Sequence, residues 1–308
     1  MLVVLNEKAN HGTARKKWLA IEKPLFARLA NASIAITRNV AELENAVRFQ
    51  WESGERQFIA AGGDGSVNCL LNCLTRMVGD GPELKDLTLG AIGLGSSNDF
   101  HKPFDRNSFI DRIPVKIDCQ NVKYADVGKA VFTTRDTGKI TRHFLINGSM
   151  GLTATANYKY NHPDPFLAWL KPRFTNVSIL YAALSTMFFY RNQPAAIAGY
   201  TDGMKQISNI NILKNPHFAG SFHYRIPQKL DDGFLTVALC LDMNKKEMLR
   251  TMMGLDRGRF GGKKTYSWTV QAISISSHAA HPLELDGEVF LTNNTNFTVL
   301  RRSIALCS

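Results

Sequence analysis

The sequence predicts a doubly wound α/β domain followed by a β-rich domain. Three observations carry that expectation. Short apolar runs alternate with helical stripes through the first hundred residues; strand-like runs follow one another with few helices after about residue 112; and 308 residues suit two domains better than one.

In order, LVVLN (2–6) is a continuous apolar run ending in Asn6, as in a strand buried on both faces. Trp18, Ile21, Leu25 and Leu29 recur at helical spacing, and SIAIT (33–37) follows as a second strand. Val40, Leu43, Val47 and Trp51 mark a second helix, and QFIAA (57–61) is a third strand stopped by Gly62-Gly63. Val67, Leu70, Leu71, Leu74 and Met77 form a third stripe before LTLGAIG (87–93), the fourth strand. Such alternation builds βαβ units with a parallel sheet, whose ligands sit outside the carboxyl ends of the strands. Beyond residue 112, KYADVGKAVFTT, KITRHFLING, ISNINILK, FLTVALCLD, YSWTVQAISISS and LELDGEVFL read as strands of an antiparallel sandwich. Only 165–191 and 244–255 read as helical there.

Composition narrows the function. Hydrophobic residues at 44% and charged residues at 20% exclude a disordered or fibrous chain. The net charge of +11, spread along the chain, favours a phosphorylated ligand, an anionic membrane surface or nucleic acid. No nucleic-acid motif appears, so no such partner is expected. Cys69, Cys73, Cys119, Cys240 and Cys307 lack zinc spacing and are expected as separate reduced thiols, buried for structural reasons, in a cytoplasmic protein. MLVVLN is too short for a secretory leader, and the uninterrupted apolar part of 177–190 is too short to span a bilayer. The aromatic-rich 166–190 segment is expected to pack against the core rather than enter a membrane.

The chemistry concentrates in two glycine turns. Gly62-Gly63-Asp64-Gly65-Ser66 lies between a strand and a helix, where glycines admit a phosphate chain and the helix start offers free N–H groups. Asp64 there is placed to reach Mg²⁺, and Ser66, read conservatively, is the helix N-cap. Gly93-Leu94-Gly95-Ser96-Ser97-Asn98-Asp99 follows the next strand and should face the same crevice. Neither a Walker A lysine pattern nor GxGxxG opening a helix is present. Asp231-Asp232-Gly233 and Asp286-Gly287, taken alone, are turns between strands.

GGDGSVN (62–68), GLGSSNDF (93–100), KLDDGFLTV (229–237) and LDGE (285–288) resemble, in order, the landmarks of the diacylglycerol kinase catalytic superfamily, which includes bacterial lipid kinases and sphingosine kinases. NEKANHG (6–12) is a looser counterpart of its opening loop, and ADVGKA (125–130) resembles the entry to its second domain. The resemblance implies an NAD kinase/diacylglycerol kinase-like two-domain fold: a Rossmann-like α/β nucleotide-binding domain at 1–117, a C-terminal β-sandwich at 118–295, and residues 296–308 returning to the first domain. It further implies an ATP- and Mg²⁺-dependent lipid kinase that passes the γ-phosphoryl group to the hydroxyl of diacylglycerol or a related lipid. Asn6, Asn10, Thr37, Gly62, Gly63, Asp64, Gly65, Ser66, Asn68, Gly95, Ser96, Asn98 and Asp99 would hold the nucleotide. Asp126 would join a metal–water network with Asp99, and the Lys229 and Phe234 carbonyls with Asp232 would hold a structural metal. Asp286 and Glu288 would lie near the transferred phosphate, with Glu288 the proton acceptor and Asp64 in the catalytic Mg²⁺ network. Peripheral contact with an anionic inner-membrane surface follows from a lipid substrate, and a homodimer is left open. Cys69, Gly93, His101 and Glu7 depart from the family pattern, which keeps two alternatives alive: an NAD kinase and a catalytically weakened nucleotide-binding regulator.

Overall fold

In the computed structural model, which describes residues 1–29, 31–226 and 229–308, the chain forms two compact units, 1–127 with 300–308 and 128–299. The sequence places the division at 117/118; in the structure the long strand Val122–Thr134 carries the chain from the first unit into the second at 127/128.

The first unit starts with β1 (Leu2–Asn6), α1 (Ala14–Arg28), β2 (Ser33–Thr37), α2 (Val40–Glu52), β3 (Gln57–Gly62), α3 (Asp64–Val78) and β4 (Thr88–Gly93). β1 pairs in parallel with both β2 and β3, and β3 pairs in parallel with β4. The order β2-β1-β3-β4 makes the β1/β3 boundary the switch point of the sheet, where the crossovers diverge and a crevice opens. Val3, Leu5, Ile59, Ala61 and Ile92 pack on Trp18, Ile21 and Leu25 of α1 in a single core. That burial is why these strands read as unbroken apolar runs. β5 (Phe109–Ile110) and β6 (Ile113–Lys116) form a hairpin, β6 flanking β4.

The second unit is antiparallel. It contains β7 (Val122–Thr134), which enters from the first unit, β8 (Gly138–Phe144), β9 (Asn147–Gly151), α4 (Leu152–Asn161), α5 (Pro165–Leu170), α6 (Thr175–Phe189), β10 (Gln193–Ile197) and β11 (Lys205–Leu213). β12 (His217–Phe218), β13 (Phe222–His223), β14 (Leu235–Leu241), α7 (Lys245–Leu255), β15 (Thr265–Val270), β16 (Ala272–Leu285) and β17 (Glu288–Cys307) complete it. β11 lies between β14 on one side and β9 and β10 on the other, and β16 follows, then β17. Alternate side chains of these strands, Phe144, Ile210, Val237, Leu283 and Phe297 among them, share one core.

Four expectations change here. KITRHFLING breaks into β8 and β9 at Leu145-Ile146. The helix α4 was not legible, since only Ala154 of LTATANYKYN is buried and no apolar stripe exists to read. Segment 166–190 buries Tyr190 but leaves most of its aromatics out: Phe166 is 52%, Trp169 51% and Phe188 74% exposed, so a large part of it faces solvent. Cys119 and Cys307 are joined by a disulfide, Cα atoms 4.5 Å apart, rather than remaining thiols. Residues 305–306 of β17 pair in parallel with β4, and the N–H groups of Ile117 and Asp118 donate to the Ser308 carbonyl. That pairing brings two cysteines 188 positions apart together. Among the described residues no helix is long and apolar enough to cross a membrane.

Candidate active site

In the first unit the two glycine turns meet backbone to backbone. A Cβ on Gly95 would lie 2.5 Å from the Gly63 Cα, a Cβ on Gly62 2.2 Å from Ser66 Oγ, and one on Gly93 2.7 Å from Pro114 Cγ. The last contact leaves no room for the proline that the family pattern carries at position 93. The turns are tied by the Leu94 N–H on the Gly62 carbonyl at 2.8 Å and by the Phe100 N–H on Asp64 Oδ1 at 2.9 Å. Gly63, not Ser66, is the N-cap of α3. Ser66 instead accepts a hydrogen bond from Asn6 Nδ2 at 3.0 Å, clasping the end of β1 to the first turn of α3 across the switch point.

A cavity of about 260 Å³ opens there, lined by Asn6, Lys8, Thr37, Arg38, Ser66 and Cys69 among others. Cys69, expected to be packed away beside Leu70 and Leu71, is half-buried and faces this space. Thr37 is buried, its hydroxyl donating to the Leu5 carbonyl at 3.4 Å. Gly65 and Ser96 are exposed at the turn tips. Other expected contacts serve the loops themselves. Asn10 donates to Thr13, Asn68 is buried and accepts from Asn72, and Asn98, at φ +49°, closes its turn through Gly95 N–H and the Gly93 carbonyl. Asp99 is buried against Lys102 at 2.7 Å. Asp126 accepts the Arg302 N–H at 2.8 Å, securing a residue with φ +45°.

Sequence reasoning missed three cations of this site. Lys17 Nζ donates to the carbonyls of Leu94 (3.1 Å) and Gly95 (2.8 Å), fixing the second turn from below, and burial lowers its pKa. Lys116 Nζ donates to the Phe100 carbonyl at 2.9 Å and, mainly through burial, is pushed down to about 8. Arg38 binds Glu7, whose carboxyl it holds below the usual range. Burial, then Lys116, push His101 down to about 4, so it is neutral at pH 7. Lys17 and Arg38 carry no local spacing signal; only the sheet order brings them to the loops.

In the second unit, Asp286-Gly287 is the hairpin turn joining β16 to β17, both residues at positive φ. The Asp286 carboxylate is buried and accepts the N–H groups of Leu145 (2.8 Å), Ile146 (3.0 Å) and Asn147 (2.9 Å), which holds the β8–β9 break. These three N–H groups make the Asp286 carboxylate an anchor of the β8–β9 break. Glu288 stays accessible, its side chain 38% exposed and 3.6 Å from Arg142 Nε. Glu284 was not anticipated: wholly buried, it accepts from Ser149 Oγ (2.6 Å), Asn147 Nδ2 (3.1 Å) and Gly287 N–H (2.7 Å), yet burial pushes it up to about 7. Its ordinary value is 4.5. Between those values the folded chain holds a proton that the unfolded chain has released, so stability falls as pH rises through this window. Glu284→Gln should flatten that loss, about 3 kcal/mol by linkage. Urea unfolding of both proteins at pH 5 and pH 7.5 checks it; equal slopes with pH would remove Glu284 from the account.

The oxygens expected to hold a structural metal have another occupant. Lys214 Nζ donates to the Phe234 carbonyl (2.9 Å), Asp232 Oδ1 (3.3 Å) and the Lys229 carbonyl (3.4 Å). Among the described residues no three His, Cys, Asp or Glu side chains group to hold a metal ion.

A Rossmann-like unit with two fused glycine turns at its switch point, plus an antiparallel β unit, defines the diacylglycerol kinase-like class of fold. A crystal structure of a diacylglycerol kinase from Bacillus anthracis str. Sterne shares it, with TM-score 0.64 at 18% identity over 99% of this chain and 95% of that one. A second chain from the same organism gives TM-score 0.68 at 21% identity, covering 99% and 96%. Residues 1–130 match the diacylglycerol kinase catalytic domain. The diacylglycerol kinase of Staphylococcus carnosus is 25% identical over 301 residues, 92% of this chain and 85% of that protein. That of Staphylococcus haemolyticus is 27% identical over 268 residues, 81% and 70%. Over residues 1–130 the chain thus resembles the diacylglycerol kinase catalytic domain, and over most of its length it is similar to bacterial diacylglycerol kinases.

Proposed function

We propose that this chain is an ATP-dependent lipid kinase that passes the γ-phosphoryl group to a lipid hydroxyl, diacylglycerol being the first candidate. The observation that carries the reading is the pair of glycine turns fused at the switch point, with Asp64 bridging them. Phosphoryl transfer asks the protein mainly for positioning and for charge stabilisation. The N–H groups opening α3 suit the phosphates, and Lys8 and Arg38 on the cavity wall add positive charge. Mg²⁺, when bound with the nucleotide, neutralises charge on the phosphate oxygens; it needs only one or two carboxylates beside phosphate and water, and Asp64 is the acid that fits. Glu288, accessible where Asp286 is locked, takes the hydroxyl proton.

An exposed face of α6, with Val177, Leu180, Leu184 and Phe188, follows Arg173, whose guanidinium lies 4.9 Å from the Trp169 ring. Apolar and aromatic groups beside cations suit the surface of an anionic membrane. This supports a peripheral lipid-facing role for the second unit.

A panel of diacylglycerol, monoacylglycerol, sphingoid bases and phosphatidylglycerol in anionic vesicles, with labelled ATP and Mg²⁺, tests the proposal. Mg²⁺-dependent labelling of one lipid class is expected. Nucleotide binding with no labelled lipid would favour a regulator instead, and labelled NADP from NAD would favour an NAD kinase.

A further inference from the structure

Lys214 is the first residue after β11, and the register of that strand decides where its side chain ends. Leu213 pairs with Thr236 of β14 and with Asn147 of β9, and the Lys214 N–H donates to the Ile146 carbonyl at 2.8 Å. The next residue of β11 therefore sits opposite the start of β14, beside the turn 229–234. The turn folds inward: Gly233 takes φ +78°, and the Phe234 N–H donates to Asp232 Oδ1 at 3.0 Å. Two carbonyls and a carboxylate oxygen then converge on one point, and Lys214 Nζ occupies it. An ammonium has three donors, and among the described residues its acceptors include the Phe234 carbonyl, Asp232 Oδ1 and the Lys229 carbonyl.

These contacts are hydrogen bonds in length, 2.9 to 3.4 Å, whereas Mg²⁺ and Ca²⁺ take oxygen ligands at about 2.0–2.6 Å and in greater number. The Lys214 side chain is only 1% exposed, so its charge is committed to this pocket and would repel a second cation. The oxygens that the resemblance assigned to a metal therefore do not fit one while Lys214 is in place.

We propose that Lys214 is a tethered cation that replaces the divalent ion of this site, leaving the second unit independent of metal for its structure. Because the cation is carried on the sheet itself, chelation cannot remove it. Divalent metal is then needed for nucleotide chemistry alone, and the two needs become separable by experiment. The inference concerns the fold of the second unit and holds whichever substrate the first unit serves.

The test uses the full chain without nucleotide and reads thermal unfolding. After EDTA treatment, adding millimolar Mg²⁺, Mn²⁺ or Ca²⁺ should shift Tm equally in the unaltered protein and in Asp232→Asn. A metal-dependent rise present in the unaltered protein and lost in Asp232→Asn would overturn the proposal. Lys214→Ala should lower Tm by roughly 5–10 °C, and millimolar Mn²⁺ or Ca²⁺ should recover at least half of the loss by entering the vacated oxygen site. The double variant Lys214→Ala/Asp232→Asn should recover nothing. An unchanged Tm in Lys214→Ala, or a loss that neither ion recovers, overturns the proposal as well. If Lys214→Ala does not fold, the first comparison still decides, because it uses the native lysine. None of these readouts depends on turnover, so a failed lipid assay would leave this result standing.

Discussion

Replacing Gly95 by alanine should destabilise the first unit by about 3 kcal/mol or more, the upper range for forcing extra atoms into a packed interior. The added methyl would lie 2.5 Å from the Gly63 Cα, and that neighbour is backbone, so no side chain can swing aside. Either turn must move, and with it the Leu94–Gly62 hydrogen bond that joins them. Gly65→Ala is the matched control. A Cβ there meets nothing within 4 Å, and the residue lies in the first turn of α3, where alanine is well tolerated. Its Tm should stay within a degree or two of the unaltered protein, while KM for the nucleotide rises because the methyl enters the phosphate side. Parallel melting curves check both variants. Equal losses of stability would mean that the turns are not fused as described.

Asp64→Asn should lower kcat by roughly 10²–10³, the scale seen when one group stabilising transition-state charge is removed. Asparagine keeps an oxygen to accept the Phe100 N–H, so the tie between the turns survives and Tm should change little. What disappears is the negative charge proposed to organise Mg²⁺ beside the phosphates. Measuring kcat on the lipid identified by the panel, alongside Tm, separates the two roles of the carboxylate. A large drop in Tm would make Asp64 a structural tie first. Near-normal turnover would take this turn out of the mechanism.

The first unit was legible because burial on both faces of β1, β3 and β4 writes itself as runs of apolar residues, while the edge strand β2, with Ile34 and Ile36 exposed, reads from its short β-branched run. LVVLN, SIAIT, QFIAA and LTLGAIG each coincide with a strand to within one residue. The glycine turns were legible for a related reason: backbone packed against backbone excludes a side chain at Gly95 and crowds one at Gly63. In the second unit a short helix with one buried residue, α4, leaves no periodic trace. The LDGE stretch hid its partners in a different way. Asp286 reads as an acid next to Glu288, yet its partners are N–H groups some 140 positions upstream, which no local spacing can announce.

The sequence by itself determined the alternation of strands and helices, the two glycine turns, and the family resemblance they carry, because each depends on residues close together in the chain. Only the tertiary structure decided that Cys119 meets Cys307, that Lys17 holds the second turn, that Asp286 anchors the β8–β9 break while Glu284 is the buried acid poised near pH 7, and that Lys214 reaches the oxygens of the 229–234 turn. Each of these is a pairing of a charge or a thiol with a partner far away in sequence. Sheet order and register, fixed by the burial of whole strands, set those distances, and the distances select the chemistry.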